Sequence, residues 1–357
     1  MGATIILKKE LFLHPMNLIK FTLLCGLLLI IFGANLFFGS VHIAPDDIFD
    51  ILFQTTEADL TASIILIESR LPQAITALIA GCSLAVSGLL LQSIFNNPLA
   101  GPSVLGIDAG ASLGVAIVML LFGGELNHLP QWLQPFEQIP ILGSALAGSF
   151  LVLSVILFFS SFIKSNLMLL IIGIMVGYFT SALISVLNFF SDAQGVQAYT
   201  LWGMGDFSNV SLMQLPEMSA VALIGIAIAF FCLKPLNTLL LGGRYAESLG
   251  IKVNRTRLLL LIATGILTAI TTAYCGPISF IGLVVPHMAR LAFKSSNQYI
   301  LLPGCCIIGA TLTLSCNLIS NLPGGSGIIP LNAITPIIGA PIVLYIIMYQ
   351  QKIEYFN

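Results

Sequence analysis

The stretch LPQAITALIAGCSLAVSGLLLQSIFNNPLAGPSVLGI, residues 71–107, contains no charged side chain. A helix rises about 1.5 Å per residue, so roughly 20 apolar residues cross a hydrocarbon layer of about 30 Å. A second uncharged stretch covers residues 295–351. Because water-soluble domains do not bury uncharged segments of this length, the sequence predicts an all-α integral membrane protein.

The composition of the whole chain supports this class. Hydrophobic residues make up 57% of the 357 residues and charged residues 8%, against about 25% charged in an ordinary soluble domain. The 32 glycines and 17 prolines suit a packed helical bundle, since small residues let helix backbones approach and neighbouring helices accommodate kinks. No segment is long and polar enough to form a soluble catalytic domain. We therefore expect one membrane domain over residues 1–357, without enzymatic activity of its own.

Charges and turn residues divide the chain into about ten candidate transmembrane helices. Two of them, 107–122 and 279–293, are short and rich in glycine or proline, so we expect partial helices that are buried in protein. The other eight candidates cover residues 20–38, 71–93, 139–163, 167–190, 211–233, 258–275, 299–319 and 332–350.

The distribution of charge predicts the topology. With the N-terminus in the cytoplasm and the helices alternating, nearly every basic residue falls on the cytoplasmic side, as the positive-inside rule requires. The cytoplasmic basic residues are Lys8, Lys9, Lys20, Lys164, Lys234, Arg244, Lys252, Arg255, Arg257, Arg290, Lys294 and Lys352. Arg70 falls outside, together with the acidic residues Asp46, Asp47, Asp50, Glu57, Asp59, Glu68, Glu125, Glu137, Asp192 and Asp206. One missed or added crossing would scramble this segregation, so both termini are expected in the cytoplasm.

The source of energy for any transport is expected to lie in another polypeptide. No acid, lysine or arginine sits in the middle of a candidate span, whereas ion-coupled transporters usually carry such residues at membrane depth. The chain also lacks the GxxxxGK[ST] phosphate loop of an ATPase. The absence of charged residues at membrane depth argues against an ion-coupled secondary transporter, but this alternative stays open.

The longest cytoplasmic loop, residues 234–257, contains the sequence GGRYAESLG at 242–250. Most of the internal positive charge surrounds this segment, which we predict to be a short helix closed by Gly250 as its C-terminal cap. Two interpretations remain open: an ordinary basic loop that obeys the inside rule, or a helix that docks into a cleft on a soluble partner.

Four motifs in the same order resemble the FecCD family of bacterial ABC importer permeases, which take up iron-siderophores, haem and cobalamin. The first motif runs from RLP at 70–72 to NPLAGP at 97–102 and beyond. The second is AESLG at 246–250, the third is GPISFIGLVVPHMAR at 276–290, and the last includes GAP at 339–341. It covers nearly the whole chain.

This resemblance implies the permease subunit of a binding-protein-dependent importer in the bacterial inner membrane. The expected cargo is a ferric-siderophore, haem or a corrinoid, moved by alternating access. The implied partners are a second copy of the chain, two ATP-binding cassette ATPase subunits that hold ATP and Mg²⁺, a periplasmic or lipid-anchored binding protein and the lipid bilayer, without nucleic acid. The chain itself is expected to bind no cofactor and no metal. The alternatives are the ion-coupled transporter and, less favoured, a membrane scaffold or receptor.

The resemblance also assigns roles to particular residues. Coupling to the ATPase falls to Gly243, Arg244, Ala246, Ser248, Leu249 and Gly250. The turn Asn97-Pro98-Leu99 is expected to narrow the cytoplasmic mouth of the pathway, although its residues alone indicate only a turn. Gly106, Gly110 and Gly114 form a GxxxGxxxG pattern that either lines the pathway or serves close packing.

Arg70 is the candidate for docking the binding protein through an ion pair; alternatively, it pairs with Glu68 or anchors the second helix. The family often has a second arginine three residues later, where this chain has Gln73. Ile328, before the last helix, also departs from the family pattern. His287 invites a role as haem ligand, but a structural hydrogen bond is the favoured interpretation, because relatives with other substrates share its motif.

Overall fold

The computed structural model describes residues 15–53, 60–121, 138–163, 165–321 and 329–350. All regular structure within these ranges is helical. The α-helices are α1 Pro15–Phe37, α2 Pro45–Phe53, α3 Leu60–Ile64, α4 Leu71–Phe95, α5 Ile107–Leu121, α6 Gln138–Phe162, α7 Asn166–Phe190, α8 Ala193–Gly203, α9 Leu215–Phe231, α10 Leu233–Leu239, α11 Gly243–Ser248, α12 Val253–Cys275, α13 Ile281–Phe293, α14 Gln298–Ser320 and α15 Leu331–Gln350. A π-helical segment, Ile65–Arg70, joins α3 to α4, and a 3₁₀ turn, Pro102–Leu105, precedes α5.

The predicted all-α membrane fold is confirmed. In the described part of the chain, six helices are long and apolar enough to cross a membrane, and the bent pair α9–α10 makes a seventh candidate. Three shorter apolar helices complete the set: Ile107–Leu121, Ile281–Phe293 and Leu331–Tyr345. The two short helices expected from the sequence are therefore α5 and α13, and this is a multi-pass membrane protein.

Helix α4 forms the centre of the bundle and packs against α14, α12, α13 and α9. Glycines allow these crossings. Gly81 meets Gly309 of α14 and Gly88 meets Gly282 of α13, so closely that a Cβ atom on either residue of α4 would overlap the facing backbone. The hydroxyl of Thr313 donates to the carbonyl oxygen of Ala77 at 2.7 Å, which fixes the register between α14 and α4. The core of the protein therefore surrounds a helix that has almost no contact with lipid.

The outer helices present apolar side chains outward. On α7, Phe179, Phe189 and Phe190 are 65%, 82% and 77% exposed. In a water-soluble protein such a surface would be unfavourable, whereas in a bilayer the hydrocarbon chains solvate it. The exposed faces of α1, α6, α9 and α15 have the same character.

The two ends of the bundle differ in charge. The ends of α4 and α13 and the starts of α1, α12 and α14 meet at one end, which we call the basic end. It carries Lys20, Lys234, Arg244, Lys252, Arg255 and Lys294. The opposite, acidic end carries Asp46, Asp47, Glu68, Asp192 and Asp206. Lys8, Lys9, Lys164, Glu57, Asp59, Glu125, Glu137 and Lys352 lie outside the described residues. That the basic end faces the cytoplasm remains a prediction.

The predicted single span 211–233 corresponds to two helices joined by a bend in the structure. Helix α9 stops at Phe231, and the chain bends by 56° into α10. Pro235 explains the break: it has no N–H to offer the carbonyl group of Phe231, and its ring clashes with that carbonyl. The bend turns α10 toward the segment that contains α11.

Candidate functional site

The segment 242–250 forms the short helix that the sequence predicts. Helix α11 ends at Ser248, and Gly250 adopts a left-handed conformation with φ +82°. The N–H of Gly250 donates to the carbonyl of Glu247 at 2.9 Å, and the N–H of Ile251 donates to that of Ala246 at 3.0 Å. These two bonds make a Schellman motif, so the C-terminal cap expected at Gly250 is confirmed.

An apolar stripe runs along the outer surface of this segment. Leu241, Tyr245 and Leu249 follow one another at intervals of four residues and are 65%, 54% and 57% exposed. Tyr245 and Leu249 lie four residues apart on α11 and its C-cap and share one face, while Leu241 lies just before the helix. We call these three exposed residues the docking stripe. Ala246 is fully buried and anchors the opposite face to the protein.

The other predicted coupling residues surround the docking stripe. Gly243 and Arg244 are exposed, while the hydroxyl of Ser248 donates to the carbonyl of Tyr245 at 2.8 Å within the segment itself. Leu241 and Tyr245 escaped the sequence interpretation, although the four-residue spacing of Tyr245 and Leu249 was a usable signal. The assignment of this segment to ATPase coupling remains a prediction.

The turn after α4 is built by two asparagines. Asn96 caps the helix in the left-handed conformation, φ +46°. The side-chain oxygen of Asn97 accepts the N–H of Leu99 at 3.0 Å, and the carbonyl of Asn97 accepts the N–H of Ala100 at 3.1 Å. Leu99 is left 48% exposed at the basic end. The turn expected at Asn97-Pro98-Leu99 therefore exists, while its role at the mouth of a pathway remains a prediction.

Beyond the turn, the chain re-enters the bundle without forming a long helix at once. Residues 100–102 and 105–108 are buried, and the 3₁₀ turn between them closes on Gly106 with φ +72°. Irregular backbone is tolerated at membrane depth only where protein or a water-filled cavity surrounds it. Ser103 is exposed here, and its hydroxyl donates to the buried carboxylate of Asp108 at 2.8 Å.

The glycine pattern of α5 differs in part from the expectation. Gly106 precedes the helix because the 3₁₀ turn ends with positive φ there, and it faces Gly173 of α7. Gly110 and Gly114 lie within α5 and face Gly148 and Ser144 of α6. A ridge of three glycines on one helical face was therefore wrong in geometry. The contacts support close packing, and lining of a pathway by these glycines remains a prediction.

A buried polar cluster ties the turn to α13. The Nε2 atom of His287 lies 2.9 Å from the carbonyl oxygen of Pro98, and because a carbonyl only accepts, His287 donates. Arg290 donates to the side-chain oxygen of Gln92 at 2.6 Å, and the amide nitrogen of Gln92 donates to the carbonyl of Leu283 at 3.1 Å. His287 thus makes the structural hydrogen bond that the sequence favoured. Within the described ranges, no three His, Cys, Asp or Glu residues are grouped so as to hold a metal ion.

Arg70 lies in a different setting from the one expected. The residue is 6% exposed, and its guanidinium group donates to the backbone carbonyls of Leu36 at 2.7 Å, of Phe37 at 3.0 Å and of Val41. It thereby caps the end of α1 and fixes the following loop, as the alternative of an anchoring arginine predicts. Gln73 is buried as well. Docking through Arg70 is untested, and its side chain is buried against the end of α1.

Comparison with known proteins shows which family the chain resembles over most of its length. Residues 27–349 match the FecCD transport family. The chain is 35% identical over 281 residues to the vitamin B12 import system permease protein BtuC of Salmonella typhi, an alignment that covers 78% of this chain and 82% of that protein. It is 34% identical over 284 residues to the same permease of Citrobacter koseri, with coverage of 79% and 82%.

A solved structure has the same fold. It is described as an inward-facing conformation of a protein assigned to the metal-chelate type of ABC transporter. It superimposes with a TM-score of 0.79 at 28% sequence identity and covers 93% of this chain and 99% of its own.

Proposed function

The chain belongs to the FecCD transport family of ABC transporter permeases, and from this premise we propose that it is the membrane subunit of a bacterial inner-membrane importer for a corrinoid such as vitamin B12. The observation that carries the substrate class is the similarity to vitamin B12 import permeases over 78% of the chain. Other metal chelates, ferric-siderophores and haem among them, form the second candidate class, which the likeness to the metal-chelate type transporter favours.

The proposal includes the partners that such a permease requires. The whole chain acts as one permease domain, and two copies form the pathway. Two ATPase subunits bind at the basic end and hold ATP and Mg²⁺, because this chain lacks a phosphate loop. A substrate-binding protein delivers cargo at the acidic end. The chain itself performs no covalent chemistry.

The geometry of the docking stripe supports this arrangement. Three large apolar side chains are exposed beside basic residues, on and next to a short helix that is anchored by Ala246 and closed by a Schellman motif. Burying such side chains in a cleft of a partner removes apolar surface from water, at roughly 25 cal/mol per Å². ATP-driven closure of the partner moves this segment and shifts the helices between outward and inward states.

Reconstitution tests the proposal. The permease is co-purified with its ATPase, placed in liposomes and supplied with the binding protein and cyanocobalamin, a ferric-siderophore or haem. We expect ATP-dependent uptake of cyanocobalamin that stimulates hydrolysis. Uptake of another chelate alone would move the assignment to the second class. Uptake driven by an imposed ion gradient without ATP would contradict the proposal and restore the secondary transporter.

A further inference from the structure

Hydrogen bonds continue from the polar cluster beneath the turn to the helix that precedes the docking stripe. On α10, the side-chain oxygen of Asn237 accepts the backbone N–H of Gln298 at 2.8 Å, and its amide nitrogen donates to the side-chain oxygen of Asn297 at 3.0 Å. The amide of Gln298 then donates to the hydroxyl of Ser93 on α4 at 3.0 Å. Asn237 therefore connects α10 to the first turn of α14, and Gln298 connects that turn to the end of α4.

From Ser93 the connection reaches the turn by two routes. The chain itself continues through Phe95 to Asn97. In addition, Gln92, which neighbours Ser93 on α4, accepts a hydrogen bond from Arg290 of α13. His287, also on α13, donates a hydrogen bond to the carbonyl of Pro98. Two groups of polar contacts, joined by the backbones of α4 and α13, thus lie between α10, one short loop before the docking stripe, and Pro98 in the turn that exposes Leu99.

Burial makes the contacts of Gln92, Gln298 and His287 strong and costly to lose, while Asn237 and Asn297 at the start of the link are half-buried. Gln92, Gln298 and His287 are each 1% exposed. In so dry a setting a hydrogen bond is electrostatically stronger than in water, and a donor or acceptor left without its partner is penalised by its desolvation. Separation of these polar groups therefore costs more free energy than their movement as connected units. Apolar side chains, in contrast, slide past one another without losing directional contacts.

We propose that Asn237, Asn297, Gln298, Ser93, Gln92, Arg290 and His287 form a polar link that transmits movement of the docking segment to the Asn97–Leu99 turn. This inference rests on the proposed function for the source of the movement. The link makes His287 and Arg290 positioning residues: they hold the turn against α13 and do not touch the cargo. When the ATPase displaces the stripe and α10, Asn237 pulls the start of α14, and the end of α4 and the turn follow.

A labelling experiment measures this transmission. A cysteine replaces Leu99, and its alkylation rate is compared in the reconstituted permease–ATPase complex with ATP and vanadate and without nucleotide. Mass spectrometry of the peptide that contains residue 99 separates its signal from the native cysteines. Asn237→Leu, His287→Leu and Ser93→Ala break the link at its start, its end and its middle, while His287→Gln retains a donor for Pro98.

Matched controls remove equally buried polar groups elsewhere. Ser87 lies on the same helix as Ser93, is fully buried and donates to the carbonyl of Leu84 in its own helix. Asn317 bonds across helices to Asn35, but at the opposite end of α14, roughly 30 Å from Gln298. Ser87→Ala and Asn317→Leu therefore test general loosening of the bundle.

We expect the three link variants to bind the ATPase and hydrolyse ATP as before, while the nucleotide-dependent change in the labelling of residue 99 falls about fivefold or more. His287→Gln and both controls should keep the change. Full labelling changes in His287→Leu and Ser93→Ala would overturn the proposal, as would equal losses in the controls. If a leucine variant fails to fold, Ser93→Ala decides, because it only deletes one oxygen. Failure of wild-type uptake with normal labelling changes would count against the proposed cargo and not against the link.

Discussion

Gly110 on α5 and Gly148 on α6 pack backbone against backbone: a Cβ atom added to either glycine would overlap the carbonyl oxygen of the other. The closeness of this crossing sets the position of α5, which follows the irregular segment behind the turn. It also provides a direct test of whether the glycines of α5 serve packing.

Gly148→Ala should destabilise the protein, because the methyl group forces α5 and α6 apart and overpacking costs about 1–3 kcal/mol. The measurement is the thermal unfolding midpoint in detergent. Gly143→Ala on the same helix is the control, since a Cβ atom there meets nothing within 4 Å. Equal midpoints for the two variants would show that the crossing is not tight.

Leu249→Asp should weaken binding of the ATPase on the order of 100-fold, which corresponds to about 2.8 kcal/mol. The physical reason is that docking would bury a carboxylate without a partner. Affinity is measured with purified permease and ATPase. Asn254→Asp adds the same charge at an exposed position off the docking stripe, in the first turn of α12, where the helix dipole favours an acid. Wild-type affinity in Leu249→Asp would refute the docking assignment.

Arg70→Glu separates anchoring from docking. If Arg70 anchors the end of α1, its loss leaves three carbonyl groups without their donor, each at a cost of about 1–3 kcal/mol where buried, and the folded yield and thermal midpoint should fall. We expect this outcome. Glu68→Gln, at an exposed neighbouring position, should leave both quantities unchanged.

The docking alternative predicts a different pattern for Arg70→Glu. The protein would fold normally but associate more slowly with the binding protein, and the difference would shrink as salt screens the charges. Association kinetics at low and high ionic strength, measured on whatever folded protein is obtained, distinguish the two.

Thiol labelling checks the topology. In a cysteine-free background, a cysteine at Gln194, an exposed position in the first turn of α8, should react with an impermeant reagent added to intact cells. A cysteine at Glu247 should react only after the membrane is permeabilised. The reverse pattern would invert the bundle and place the docking stripe outside, where no ATPase can bind.

The positions of the membrane helices were predictable because hydropathy and charge act locally. Each predicted span has its counterpart in a helix or helix pair, with ends that differ by a few residues. The second span was expected to begin at residue 71 because Arg70 is charged, whereas the helical path starts at Leu60. A charged residue ends a span only if it must reach water, and Arg70 instead finds its partners in backbone carbonyls.

The contacts within the candidate site were not predictable in the same way. Gln92 and Arg290 are separated by 198 residues, and the local sequence around each does not indicate that the other is its partner. The amphipathic helix α2 and the helix α8 also went unnoticed, although Asp192 is a typical N-cap that accepts the N–H of Gly195 at 2.9 Å. Both helices lie at the acidic end, and a criterion based on long apolar segments does not detect helices of 9 and 11 residues.

The central position of α4 has a consequence for how the protein is made. This helix is synthesised long before α12, α13 and α14, which later enclose it. At about 5–20 residues per second, roughly 10–40 seconds pass between translation of Gln92 and of Arg290. During that interval α4 must reside in lipid while the side chain of Gln92 still lacks its bond to Arg290. Its high leucine and alanine content is therefore a requirement of insertion by the ribosome-bound machinery, imposed before the finished protein shields the helix from the bilayer.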